Sequence, residues 1–107
     1  MNINYKDLGD HKIILLDGDI DYFCVSELKN AIFKLINDRT PSVILDLNKV
    51  EYMDSSGIGL IVTAYKVMSQ YGGRMSLVNV QNDVMKLLKL TTIDSLMSIY
   101  NNDQEIV

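Results

Sequence analysis

The chain has 107 residues, enough for one ordinary domain with a core of its own. Its hydrophobic content of 48% argues against disorder. A net charge of −4, with lysines scattered singly, makes nucleic acid and anionic membrane surfaces poor partners and leaves a basic protein surface open.

From the N-terminus, MNINYKDLGD lacks the charged and apolar regions of a signal peptide, so none is expected. Residues 2–7 alternate weakly, with Ile3 and Tyr5 apolar, and predict a strand. LGDH at 8–11 is a turn signal, and KIILLDG at 12–18 is a second strand that should pair with the first as an antiparallel hairpin. GDID at 18–21 follows. From about Phe23 the period becomes helical, with Val25, Leu28, Ile32, Leu35 and Ile36 on one face and Ser26 near the start. Pro41 disfavours helix in the residue before it, so this helix stops by Arg39.

SVILDLN at 42–48 is β-branched and continuously apolar, as a central strand covered by helices would be. Leu60, Ile61, Ala64, Val67, Met68 and Tyr71 then repeat at helical spacing, and Gly72 and Gly73 supply a C-cap. Residues 74–80 read as a strand and 81–90 as a third helix with Val84, Leu87 and Leu88 inward. Residues 93–100 are a last helical turn or an edge strand, and 101–107 a frayed tail. The order β-β-α-β-α-β-α, plus a short final element, implies a single α/β domain: a mixed sheet of four to five strands with amphipathic helices packed against it. The methionines at 53, 68, 75, 85 and 97 read as core or near-core fillers.

The chemistry concentrates in MDSSGIGL, Met53 to Leu60, between a strand and a helix. Read locally, Asp54 and the serines are N-cap residues, whose oxygens accept the unpaired N–H groups of a first helical turn. Gly57 and Gly59 would let the chain turn sharply. Enzyme readings fare poorly. The stretch lacks the G-x-S-x-G spacing of a nucleophile elbow, and no P-loop or dinucleotide fingerprint is present. His11 is the one histidine available as a base, and it falls in a predicted hairpin turn. Cys24 and His11 do not make a zinc site, and no catalytic or metal-binding residue is expected. A lone cysteine makes no internal disulfide and fits a reducing, cytoplasmic setting; Cys24 reads as structural.

GDID at 18–21, VILDL at 43–47, YMDSSGIGL at 52–60 and YGGRMSLVN at 71–79, in this order, resemble the STAS domain of sulphate transporters and anti-sigma factor antagonists. The resemblance covers nearly the whole chain. It is strongest to the stand-alone bacterial antagonists of the partner-switching type. It implies a small mixed sheet with helices against it, and a binding protein rather than an enzyme. The implied partners are an anti-sigma factor that is also a serine kinase, and a serine phosphatase that resets the system; nucleic acid and membrane are not among them.

On the matching positions, the resemblance implies that Ser55 is phosphorylated, which releases the partner. Asp54, Ser56, Gly57 and Gly59 support the switch loop. ATP and Mg²⁺ would belong to the kinase, so the chain itself carries no cofactor. Asp19 and Asp21 match an acidic family pattern; with Ser55, Ser56 and Gly57 they are the candidate partner contacts. Two readings stay open for Asp54 and for Asp21. Asp54 either caps the helix or orients Ser55. Asp21 forms part of an acidic, kinase-facing rim or starts the following helix. A second reading of the whole is a STAS subunit of a transport or signalling complex that works without phosphorylation. One departure falls at LTTI, 90–93: Thr92 stands where the family often has glycine, and β-branched threonine resists positive φ, so the helix is expected to end another way.

Overall fold

The computed structural model describes residues 1–106. Strands β1 (Asn2–Leu8) and β2 (His11–Asp17) form the expected antiparallel hairpin, with Leu8 opposite His11 across a two-residue turn. β3 (Ser42–Lys49), β4 (Arg74–Val78) and β5 (Ile99–Tyr100) add in parallel, giving a five-stranded sheet in the order β1-β2-β3-β4-β5. Helices α1 (Val25–Asn37), α2 (Ser55–Gln70) and α3 (Asn82–Leu90) make the three crossovers. With strands in sequential order, right-handed crossovers place all three helices on one face. Their buried residues accordingly share one cluster with every second residue of the strands. Leu28, Ile32, Ile61, Met68 and Leu88 meet Ile14, Leu16, Val43, Leu45 and Leu77. Met53, Met68, Met75 and Met97 are buried and Met85 half-buried, as read from the sequence.

α1 starts later than the periodicity implies, whereas α2 starts earlier, at Ser55, ahead of the first periodic residue, Leu60. α1 opens at Val25, after a turn through Tyr22–Cys24, because the Asp21 carboxylate draws the N–H groups of Phe23 and Cys24 into that turn. α2 ends in a Schellman motif: Gly73 N–H donates to the Met68 carbonyl at 2.8 Å and Gly72 N–H to Ser69 at 3.2 Å, with Gly72 at φ +80°.

Two expectations are corrected. Residues 101–106 are not a frayed tail. A 3-10 helix at Asp103–Glu105, capped by the Asn102 side chain, lays Ile106 against Ile13, Ile44 and Val78 on the sheet face opposite the helices. The Lys6 ammonium holds Asp103 at 2.7 Å, and the Asn79 amide donates to Asp103 at 2.9 Å and to the buried Asp46 at 3.3 Å. An apolar face with no helix on it needs this cover. The remaining residue of the expected tail, Val107, lies outside the described residues. The second correction concerns Thr92, which does adopt the left-handed conformation, φ +61°, despite its β-branch. The strain, on the order of 1 kcal/mol, is tolerated because the turn directs buried Ile93 back into the core. Residues 93–100 contain both of the expected alternatives, a 3-10 turn at Ile93–Ser95 and the edge strand β5.

Candidate functional site

Two loops leave the same end of the parallel sheet, after β2 and after β3. They are joined by strand-like pairing of Ile20 with Met53: Ile20 N–H donates to the Tyr52 carbonyl at 3.0 Å, and Asp54 N–H to the Ile20 carbonyl at 3.1 Å. Ile20 and Met53 are buried, and exposed Asp19 and Tyr52 flank the joint. GDID and DSSG therefore lie side by side although more than thirty residues separate them.

Asp54 organises the junction. It is the N-cap of α2, and its Oδ1 accepts the Ser56 N–H at 2.9 Å and the Ser56 hydroxyl. Its Oδ2 accepts the Tyr22 N–H from the neighbouring loop at 3.0 Å. The Ser56 hydroxyl, with these backbone donors behind it, holds the Asp54 carboxyl below its ordinary range by stabilising the charged form. The capping role is thus filled, and by the carboxylate rather than by either serine.

The two serines differ sharply in consequence. Ser56 is half-buried and its hydroxyl is committed to Asp54. Ser55, the first helical residue, is exposed, and its hydroxyl has no hydrogen-bond partner among the described residues. It stands at the positive end of a sixteen-residue helix.

The glycines need correction. Neither Gly57 nor Gly59 has positive φ; both lie inside α2, so neither makes a sharp turn. Gly57 is buried, and a β-carbon there would sit 2.7 Å from both Ile20 Cγ2 and Met53 Cγ. Its lack of a side chain lets α2 close onto the joint between the loops, so it is a packing residue and not the partner-facing position expected. Gly59 is exposed with open space where its β-carbon would be.

Asp21 orders the turn ahead of α1 rather than capping the helix, whose N-cap is Cys24: its Oδ1 accepts the N–H groups of Phe23 and Cys24, each at 3.0 Å. It remains half-exposed at the rim, while Asp19 is fully on the surface. Burial, followed by the hydrogen bond to Asp21, pushes the Cys24 thiol up and keeps it protonated, in line with a structural cysteine. His11 is at the opposite end of the sheet, at the start of β2, with Nδ1 2.6 Å from the Ser42 hydroxyl, so it offers no base to Ser55. Among the described residues no cluster of His, Cys, Asp and Glu could hold a metal ion, and no helix is long and apolar enough to cross a membrane.

The motif itself gives no sign of the aromatic residues around it. Tyr22 and Phe23 are 75% and 89% exposed, and Tyr52 is 54% exposed. The available signal was an aromatic pair directly after an acidic turn, DYF at 21–23.

With the fold and this junction in view, the match to known proteins is direct. The STAS domain model matches residues 2–106, and the chain belongs to the STAS domain family. It is 32% identical over 92 residues to the anti-sigma F factor antagonist of Paenibacillus polymyxa, covering 85% of this chain and 79% of that one. It is 28% identical over 101 residues to an anti-sigma-B factor antagonist of Staphylococcus aureus, covering 92% and 94%. Among solved structures, an anti-sigma factor antagonist candidate from Thermotoga maritima superimposes with a TM-score of 0.91 at 29% identity, over 96% of this chain and 89% of that one.

Proposed function

We propose that this chain is an anti-sigma factor antagonist. It binds an anti-sigma factor that is also a serine kinase, thereby frees a sigma factor, and is switched off by phosphorylation of Ser55. The observation that carries this reading is the asymmetry of the serine pair. Ser55 offers an exposed, uncommitted hydroxyl on a fixed helix start, while Ser56 is held by Asp54. The names of the similar antagonists support the class.

The chemistry asked of the chain is small. Ser55 Oγ attacks the γ-phosphorus of ATP bound to the partner, ADP leaves, and the hydroxyl proton passes to a base of the kinase. The product carries about −1.5 to −2 charges beside Asp54, which is already ionised. The helix N-terminus tolerates the phosphate, so the domain stays folded. A partner surface matched to a neutral hydroxyl instead meets repulsion and a desolvation cost. A loss of about 2.7 kcal/mol weakens binding roughly 100-fold, enough for a switch. A serine phosphatase restores the hydroxyl.

The test is displacement. The purified chain is titrated into a preformed complex of each candidate anti-sigma factor with its sigma factor, and free sigma factor is measured by gel filtration. The expected result is release by wild type and not by Ser55→Asp. Equal release by both would remove Ser55 as the switch. Release from no complex, with stable binding to a partner that is not a kinase, would favour a phosphorylation-independent subunit.

A further inference from the structure

We infer that Tyr22 and Phe23 form an aromatic anchor that enters an apolar socket rimmed by basic side chains on the anti-sigma factor, and that this anchor selects which anti-sigma factor is bound. The inference rests on the function proposed above and names the partner surface that the function requires.

The first ground is exposure without a folding role. Phe23 and Tyr22 are 89% and 75% exposed and belong to neither core cluster. Two adjacent aromatic rings left in water are a standing cost that burial by a partner would recover, and such anchors dominate binding energy at interfaces. Leu90 and Leu96 are also exposed, but they lie at the end of α3 and in the turn that follows, away from the switch.

The second ground is order. Three backbone N–H groups of the loop are held by carboxylates: Tyr22 by Asp54, and Phe23 and Cys24 by Asp21. The two rings meet edge to face, with centroids 5.8 Å apart and planes at 83°. An anchor already in place loses little freedom on binding.

The third ground is charge and continuity. Segments 17–24 and 50–60 carry Asp17, Asp19, Asp21, Glu51 and Asp54 and contain no Lys, Arg or His. Lys49, paired with Asp17 in the β2–β3 register, and the Met1 ammonium near Cys24 are the positive charges beside these segments; the five carboxylates outnumber them, and a basic rim would complement that balance. They also join the Ser55 region without a break, because one carboxylate, Asp54, holds both the Tyr22 N–H and the start of α2. The fold uses only the backbone of Tyr22 and Phe23, so their side chains are free to encode the choice of partner.

The experiment measures the dissociation constants of wild type, Phe23→Ala, Tyr22→Ala and the double variant for each serine-kinase anti-sigma factor of the same genome, without ATP, at low and high salt. Thermal melts accompany each variant. Phe23→Ala is expected to melt like wild type and to bind its anti-sigma factor about 10-fold more weakly, with a larger loss in the double variant. Phe23→Tyr should bind nearly as wild type, and wild-type affinity should fall as salt rises. Binding of the double variant within about twofold of wild type would overturn the anchor while leaving the proposed function intact. Wild type that binds no anti-sigma factor would sink the functional reading, and the anchor with it. Sedimentation in which wild type dimerises and Phe23→Ala does not, with anti-sigma binding unaltered, would assign the rings to a second copy of the chain and also overturn the inference.

Discussion

The Asp54 carboxylate receives the backbone N–H of Tyr22 on one oxygen and the N–H of Ser56 on the other. One side chain thus caps the helix that presents Ser55 and ties that helix to the acidic, aromatic loop beside it. Replacing Asp54 by alanine should release both. The expected outcome is a melting temperature lower by several degrees, with faster amide exchange at Tyr22 as well as at Ser56. Loss confined to α2 would show that the loops are held together by Ile20 and Met53 alone.

Acid should act through the same residue. The Asp54 carboxyl titrates below its ordinary 3.8 in the folded chain. Its contribution is therefore fully present above that value and is lost as pH falls through the lower, folded pKa. Asp103 follows the same sign, because its hydrogen bond to Lys6 depresses its pKa. Melts of wild type and of the Asp54→Asn, Asp103→Asn double variant should differ at neutral pH, and the gap should close only as pH falls below the ordinary carboxylate value of 3.8 and through the lower, folded pKa values. A constant gap across that range would contradict both assignments.

The glycines of the motif should behave oppositely. Gly57→Ala drives a methyl into Ile20 and Met53 and should cost about 1–3 kcal/mol, less up to about 1 kcal/mol regained in helix propensity. Gly59→Ala meets nothing within 4 Å and should stabilise by up to about 1 kcal/mol. Urea melts of the two variants decide this, and equal effects would refute the packing role of Gly57.

Much of this architecture was legible in the residues. The change from period 2 to period 3.6 located all three helices, and the Gly72-Gly73 pair marked the end of α2 correctly. What escaped was set by partners distant in sequence. Gly57 reads as a turn glycine until Ile20 is placed against it. Ile106 reads as part of a loose end until the sheet brings Ile13, Ile44 and Val78 beneath it. Tyr22 and Phe23 stand where a helix was expected to begin, and aromatic residues there are ordinarily core. Only the early turn imposed by Asp21 leaves them outside. Within the motif, DSSG pointed to the junction, but the different environments of Ser55 and Ser56 follow from which hydroxyl reaches Asp54.

Thr92 offers a test of the departure at the end of α3. Glycine adopts φ +61° without the penalty borne by threonine but gains more freedom on unfolding. Thr92→Gly should raise stability by about 0.5 kcal/mol in denaturant melts. A clear loss would show that the local bond from the Thr92 hydroxyl to the Thr91 carbonyl outweighs the strain.

The docked end should also matter. Ile106→Ala removes the plug over Ile13, Ile44 and Val78 and should cost about 2 kcal/mol, the low end for a buried isoleucine because the side chain keeps 8% exposure. Amide exchange in β2 and β3 should quicken with it. Unchanged stability would restore the frayed tail first expected.

Ser55 is the centre of the proposed switch, and one measurement addresses it directly. The chain is incubated with Mg·ATP and each serine-kinase anti-sigma factor of its genome, its intact mass is followed, and the modified residue is located by fragmentation. A switch at Ser55 predicts one added phosphate, on Ser55, absent from Ser55→Ala and accompanied by weaker kinase binding. A phosphate on Ser56 with Ser55 unmodified, or no phosphate while the kinase still binds, would contradict it.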